Sequence, residues 1–296
     1  MLTEYRLSTW DIDGLTNLTT VVIRFDTATT FNNRPPQPPQ PSSKWDSLKA
    51  IYQKYYDLPL KESDAVAQGW TKIGSCSNKD KFPGERYILN SDYNMVLIFD
   101  AAEGYIAGTQ LGTTVGDFET MYPATGSTVR HYFQPEGGHV FQTLYLIPSS
   151  SICQATGRTE AEFKEQGIGT VLMIQNGPNA DTDYIEVPRE VKDFDDTDWA
   201  KLSCRDGMGY HMFYQPSQKA EVPCAEITPF SVLHLNGRVH GISWYNCHYR
   251  TSRWSEAMPA SNLGPRARPA DGTFTAQHVY FNYSPPQNTY VCPSSN

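Results

Sequence analysis

The side chains able to do chemistry in this chain are seven histidines and six cysteines, set among 32 acidic and 24 basic residues. The cysteines stand at Cys76, Cys153, Cys204, Cys224, Cys247 and Cys292. None forms a CxxC pair, and structural zinc sites need ligands in such close pairs. An even number scattered this widely points instead to disulfides closing long loops. The histidines show no HxH or HExxH spacing. A metal centre would have to be assembled from distant strands, for example from His139, His211 and His278, and no metal is expected. Asp11, Asp13 and Gly14 open like a calcium loop, but no later acidic ligand completes it. Asp193, Asp195, Asp196 and Asp198 read as a solvated acidic loop. No nucleophile-elbow, phosphate-loop or dinucleotide-binding pattern is present, and pairing of all six cysteines leaves no thiol nucleophile.

Two segments could shape a ligand site. In GMGYHMFY, Gly207 to Tyr214, two glycines permit a tight turn before an aromatic strand carrying His211. Asn236-Gly237 suits a two-residue type I′ hairpin. That register sets Leu235 opposite Arg238, His234 opposite Val239 and Leu233 opposite His240. Alternation then sends His234 and His240 to opposite faces and lines up His240, Ile242, Trp244, Asn246 and His248. The candidate ligand-binding residues are Tyr210, His211, Phe213, Trp244 and Tyr245, an aromatic wall with one polar handle.

These residues must be positioned by strands. The chain has 296 residues, of which 39 % are hydrophobic, so a core can form; 18 Tyr, 13 Phe and 6 Trp favour pleated surfaces. Short runs bounded by turn residues predict strands at Thr20–Phe25, Asn94–Phe99, Gly104–Thr109, Val140–Ile147, Thr170–Gln175, Ser231–Leu235, Arg238–Asn246 and Gln277–Asn282. Helix is scarce. Ser43 caps a predicted helix over 44–57, with Trp45, Leu48, Ile51, Tyr52 and Tyr55 on one side. Thr159 and Glu162 form a capping box for a short helix ending before Gly167. The Pro-rich stretch 34–43 is expected to be an extended loop.

An internal repeat organises the rest. HVFQTLYLIPSSSIC from His139 resembles HVYFNYSPPQNTYVC from His278, with the closing cysteine equally spaced from the histidine. GYIAG from Gly104 matches GRVHG from Gly237. Trp70 precedes Cys76 as Trp199 precedes Cys204, and TVVIRF from Thr20 resembles TVLMIQ from Thr170. Collinear matches predict tandem related halves, 1–154 and 155–296, each a β-sandwich or barrel-like unit in a mainly β chain with a few short helices. Duplication makes Trp70 equivalent to Trp199 and His139 to His278, both histidines being framework residues. It also selects one of the fifteen connectivities open to six cysteines: Cys76–Cys153, Cys204–Cys292 and, by remainder, Cys224–Cys247.

The net charge of −8 opposes phosphate backbones and argues against nucleic acid as partner. No apolar window reaches the roughly 18 residues of a membrane-spanning helix. The opening MLTEYRLSTW lacks the basic and apolar regions of a signal peptide. Disulfides and the sequon at Asn17 nevertheless argue for a secreted glycoprotein in its mature form.

The Trp–Cys pair of each half, GMGYHMFY, the closing segment from His278 and GRTEAEFKEQGIGTVLMIQNGP from Gly157 to Pro178 carry a resemblance to a group of secreted, two-repeat invertebrate proteins of unknown function. The resemblance implies a secreted, disulfide-stabilised fold and no site residues. Three functional readings stand at this level. The first is a non-catalytic binding protein for an apolar or aromatic small molecule, a pigment or lipid such as a carotenoid, whose bound chromophore or lipid would be its only cofactor. The second is an extracellular oxidoreductase of luciferase or oxygenase type. The third is a structural extracellular glycoprotein.

Overall fold

A computed structural model describes residues 44–50, 54–78, 81–194, 198–214, 222–247, 252–259, 267–268, 272–281 and 291–292. The expectations placed on Asp11, Asp13, Gly14, Asn17, Thr20–Phe25, the stretch 34–43, Asp195, Asp196 and His248 lie outside them. The chain separates into two compact units, Met1–Gln37 and Pro38–Asn296, and all described residues belong to the second.

That unit is mainly β, with two large antiparallel sheets. Its strands in chain order are β1 (Lys49–Ala50), β2 (Tyr56–Asp57), β3 (Trp70–Gly74), β4 (Glu85–Leu89), β5 (Asp92–Phe99) and β6 (Ile106–Thr114), then β7 (Gln134–Glu136), β8 (His139–Tyr145), β9 (Met173–Gln175) and β10 (Tyr184–Glu186). There follow β11 (Trp199–Arg205), β12 (Gly209–Tyr214), β13 (Val222–Pro223), β14 (Phe230–Leu235), β15 (Arg238–Asn246), β16 (Glu256–Pro259), β17 (Ala267–Arg268) and β18 (Thr273–Tyr280). Four short helices are described: α1 (Glu62–Ala67), α2 (Val115–Met121), α3 (Ser149–Ile152) and α4 (Glu160–Gln166).

The first sheet runs β3-β4-β5-β6-β8-β9-β10 with β7 also on β8. The second runs β11-β12-β14-β15-β18-β1-β2 with β16 also on β18. The two orders are the same plan, and the details repeat. Trp70 faces Leu89 as Trp199 faces Tyr214. A bulge follows Ile98 opposite Gly108, and another follows Leu233 opposite Gly241. Gly108 lies beside Tyr145 as Gly241 lies beside Tyr280, where only hydrogen at Cα leaves room for the neighbouring main chain.

The sheets face each other across one core. Leu97, Leu111 and Leu144 of the first pack in the same buried cluster as Val232, Ile242, Trp244 and Val279 of the second. Hydrogen bonds cross as well: the Gln142 amide donates to the Pro229 carbonyl at 3.1 Å and the Asn246 amide to Thr113 Oγ1 at 3.4 Å. Tight turns come from left-handed pairs, Asn90-Ser91 (φ 56° and 57°) between β4 and β5 and Asn236-Gly237 (φ 53° and 83°) between β14 and β15.

Three bridges join Cys76 to Cys153, Cys204 to Cys292 and Cys224 to Cys247, with Cα separations of 5.5, 5.7 and 5.6 Å. This is the connectivity selected by the repeat. Each long bridge ties a cysteine in or just after the first strand of a sheet to one beyond that sheet's β8 or β18. No helix of the described residues is long and apolar enough to cross a membrane.

Three expectations are corrected. The described residues of 44–57 form no helix: Lys49–Ala50 and Tyr56–Asp57 are strands, with Ala50 opposite Val279 and Lys49 opposite both Tyr280 and Asp57. The helical spacing of Trp45 and Leu48 is overridden by the open edge of β18, which supplies hydrogen-bond partners an isolated helix does not. Leu233 faces Gly241 rather than His240, because the bulge absorbs one residue. His139 and His278 lie on corresponding strands but out of step. The tyrosines that face Gly108 and Gly241 place His278 level with Thr143 instead.

The capping box of α4 is present, and Gly167 ends that helix at φ 75°. A Cβ there would lie 1.8 Å from the Trp45 carbonyl oxygen. Gly167→Ala is therefore expected to cost more than about 2 kcal/mol, through both backbone strain and overlap. Gly116→Ala in α2, where a Cβ meets nothing within 4 Å, should be neutral or stabilise by about 0.4–1 kcal/mol. Thermal melts of the two variants check the contrast.

Candidate functional site

Strand alternation splits the five expected ligand residues between environments. Trp244 points into the core between the sheets, fully buried with its ring 6.0 Å from that of Phe230. It is a packing residue and lines no site. Tyr210 stacks on His234 at 5.1 Å with the Lys201 ammonium 3.8 Å over its ring. His211, Phe213 and Tyr245 project from the opposite, outer face of the second sheet. There Phe213 and Tyr245 lie parallel at 5.4 Å, with Phe274 edge-on to Tyr245 and Ile227 and Ala276 filling the gaps. Side chains occupy the space in which a ligand was expected.

What remains on that face is polar. The His211 ring lies 6.2 Å from that of His278, whose Nδ1 is 3.3 Å from a Glu256 carboxylate oxygen. Tyr245 shares a 2.6 Å hydrogen bond with Ser231, and burial pushes its phenol up to about 12. His240, turned by the bulge, stacks on Tyr280 and places Nε2 2.9 Å from the Met208 carbonyl. Among the described residues no group of three or more His, Cys, Asp or Glu stands close enough together to hold a metal ion.

The first sheet carries an open cleft of about 710 Å³, and sequence reasoning did not find it. One wall is the turn and strand start Arg130, His131, Phe133 and Gln134; the other is the β9–β10 loop with Asn176, Gly177, Pro178, Thr182, Asp183 and Tyr184. The loop is held from within. The Asn179 amide donates to Asp183 at 2.9 Å, the Thr182 hydroxyl donates to it at 2.8 Å, and the Asn176 amide donates to the Asp183 carbonyl at 2.9 Å. The Asn179 amide and the Thr182 hydroxyl hold the Asp183 carboxyl below its ordinary range. A side chain at Gly177 would meet Asp183 at 2.7 Å, so the tight approach requires glycine. Opposite, Arg130 grips Glu119 at 2.7 and 3.0 Å and lies 4.5 Å above the Phe118 ring. Burial lowers the His131 imidazole below its usual range.

Tyr184 sets the character of the cleft. Four large apolar side chains are exposed among the described residues, Val66, Val115, Tyr184 and Val291, and Tyr184 alone is aromatic. It stands on β10, the edge strand, with β9 as its paired neighbour. A free ring face beside an amide, a carboxylate and a neutral imidazole can stack on a flat molecule and hydrogen-bond its substituents. With Asp183 the single carboxylate on the lining, the cleft offers no acid–base pair of carboxylates. The signal that could have found it is Asn176-Gly177-Pro178, a turn-forming loop opening.

The buried histidines have a consequence for stability. Burial lowers His234 and His240 to about 4 and puts His211 well below the usual value, the latter reinforced by the charges of His278 and Arg205. Unfolded imidazoles bind protons near pH 6.5 while these folded ones do not, so stability is complete above that pH and falls between about pH 6.5 and pH 4. The slope is on the order of 1.4 kcal/mol per pH unit for each histidine. Urea midpoints should drop from about pH 7.5 to about pH 5, and His234→Phe, which removes an imidazole with both nitrogens buried and unpartnered, should flatten the fall; midpoints that do not move would show the histidines to be protonated in the fold. Comparison of the chain with protein-family models, with curated proteins and with solved structures finds no match to any of them, so the functional reading rests on the geometry alone.

Proposed function

We propose that this chain is a secreted, non-catalytic binding protein for a small aromatic molecule bearing polar groups, held in the cleft between Arg130–Gln134 and the β9–β10 loop. The observation that carries the reading is the exposed Tyr184 ring on the rim of a volume within the range of roughly 300–1,000 Å³ typical of ligand sites. Polar neighbours fixed by their own hydrogen bonds favour a pigment-like ring with hydroxyl or carbonyl substituents over a long lipid chain. Secretion is supported by the three bridges, which persist in oxidising compartments. The shared strand plan supports the reading of tandem related halves, 1–154 and 155–296.

Titration with hydroxylated aromatic dyes, followed by intrinsic fluorescence, tests the proposal. Tyr184→Ala removes a stacking partner worth about 0.5–1.5 kcal/mol, a loss of up to roughly tenfold in affinity. Because that ring is exposed, the melting temperature should hold. Equal affinity in the variant, or uptake of fatty acids in preference to ring compounds, would place the ligand elsewhere and end this assignment.

A further inference from the structure

We infer that the two halves exchange strands reciprocally: each sheet is completed by the opening strand pair of the other half, so the chain is an internal pseudo-dimer. The inference rests on the tandem reading and goes beyond it, since tandem halves could equally keep their own strands side by side. The register decides. Strands β1 and β2 precede the first sheet in sequence, yet β1 pairs with β18 of the second. Strands β9 and β10 follow the first sheet's β8, yet precede the second sheet's own β11, and β9 pairs with β8.

The hydrogen bonds of the two crossings match one for one. Ser47 N–H donates to the Phe281 carbonyl at 2.8 Å, and Val171 N–H to that of Leu146 at 3.2 Å. Leu58 N–H donates to Leu48 at 2.9 Å, and Val187 to Leu172 at 2.8 Å. Returning to their own sheets, Ile106 N–H donates to Leu60 at 3.0 Å and Val239 to Arg189 at 2.9 Å. Single bridges join Lys61 to Tyr105 and Glu190 to Arg238. Every pair occupies equivalent positions of the shared plan.

The crossing segments touch where they pass. Trp45 and Gly167 form a parallel bridge, with Ile168 N–H donating to the Trp45 carbonyl at 2.7 Å. Each crossing is also pinned to the sheet it serves or adjoins. The Trp45 indole donates to the Val239 carbonyl at 3.0 Å, and the buried Arg158 guanidinium donates to the carbonyls of Gly167 and Ile168, both at 3.0 Å, and to that of Ile106. Half of the chain thus carries a sheet lacking its outer strands and a strand pair lacking its sheet. The partner that fits such an edge is an equivalent half.

Paired cysteines in the full chain test the pairing. Ala50 faces Val279 in the exchanged arrangement, and the equivalent pair is Ile174 with Leu144. Ala50→Cys with Val279→Cys should form a fourth disulfide within one chain, seen by non-reducing peptide mapping, while Ala50→Cys with Leu144→Cys should form none. A bridge from position 50 to 144, or a linked dimer of chains, would overturn the inference. Because these sites are buried, a second measurement leaves the core unaltered. A protease site inserted in the exposed loop 154–156 allows the folded chain to be cut, and no native bridge joins the fragments. The cut chain should remain one particle, and fragments parted in denaturant should regain their near-ultraviolet signal only when mixed. Independent refolding of both as monomers would end the exchange and leave tandem halves standing. Independent refolding of one alone would end both readings.

Discussion

Main-chain hydrogen bonding along the outer edges of β8 and β18 is the constraint on which the rest of this structure depends. Both are central strands in the buried plan, so their amides and carbonyls must be paired. For β18 that partner is β1, from the opening of the described chain, and for β8 it is β9, the next strand in sequence. That requirement forces two crossings, and the crossings force the glycines. Gly167 passes the Trp45 carbonyl, and Gly169 passes that of Leu146, at distances no side chain would permit. It also explains how one core can include both sheets, since each crossing segment brings core residues with it: Leu48 on one side and Leu172 on the other.

The outer faces show how one plan accommodates different chemistry. At corresponding positions the first sheet places Arg86, Gln110 and Thr143, and the second places His211, Ser243 and His278. In the first, Arg86 lies over the rings of Phe82 and Phe141, pairs with Glu136 and donates to Gln110, which donates in turn to Thr143 at 3.0 Å. A permanently charged guanidinium is tolerated because it is paired and flanked by ring faces. In the second, imidazoles take two of the three positions, and burial keeps that of His211 neutral. The second face, through the buried His211, ties stability to pH.

How much of this could be read from the sequence depended on whether the signal was local. The Asn236-Gly237 hairpin, the Thr159–Glu162 capping box and the turn at Gly167 rest on a few adjacent residues, and they stand as expected. The bridges were legible because collinear anchors such as Trp70 and Trp199 constrain pairings that spacing alone leaves open. The segment 44–57 misled because Trp45, Leu48 and Ile51 have helical spacing, while the edge that makes residues 49–50 a strand lies more than two hundred residues away. The match of His139 with His278 misled for another reason. Alternation of ring and β-branched residues repeats along any half-buried strand, so two strands can look aligned when they are out of step.

The cleft was illegible because neither wall means anything alone. Arg130 and His131 sit in a short turn whose position depends on the Arg130–Glu119 pair, and Tyr184 is an ordinary strand residue until β10 becomes an edge. Its exposure is a product of the same plan that buries the second sheet's aromatics. On the second sheet, Phe213 and Tyr245 are used up by packing against each other and Phe274, so composition overstated the surface available to a ligand there. A sheet must end somewhere, and its last strand has one unpaired edge that the fold does not need. On the first sheet that strand follows a loop held by hydrogen bonds between Asn176, Asn179, Thr182 and Asp183, and its Tyr184 ring is exposed.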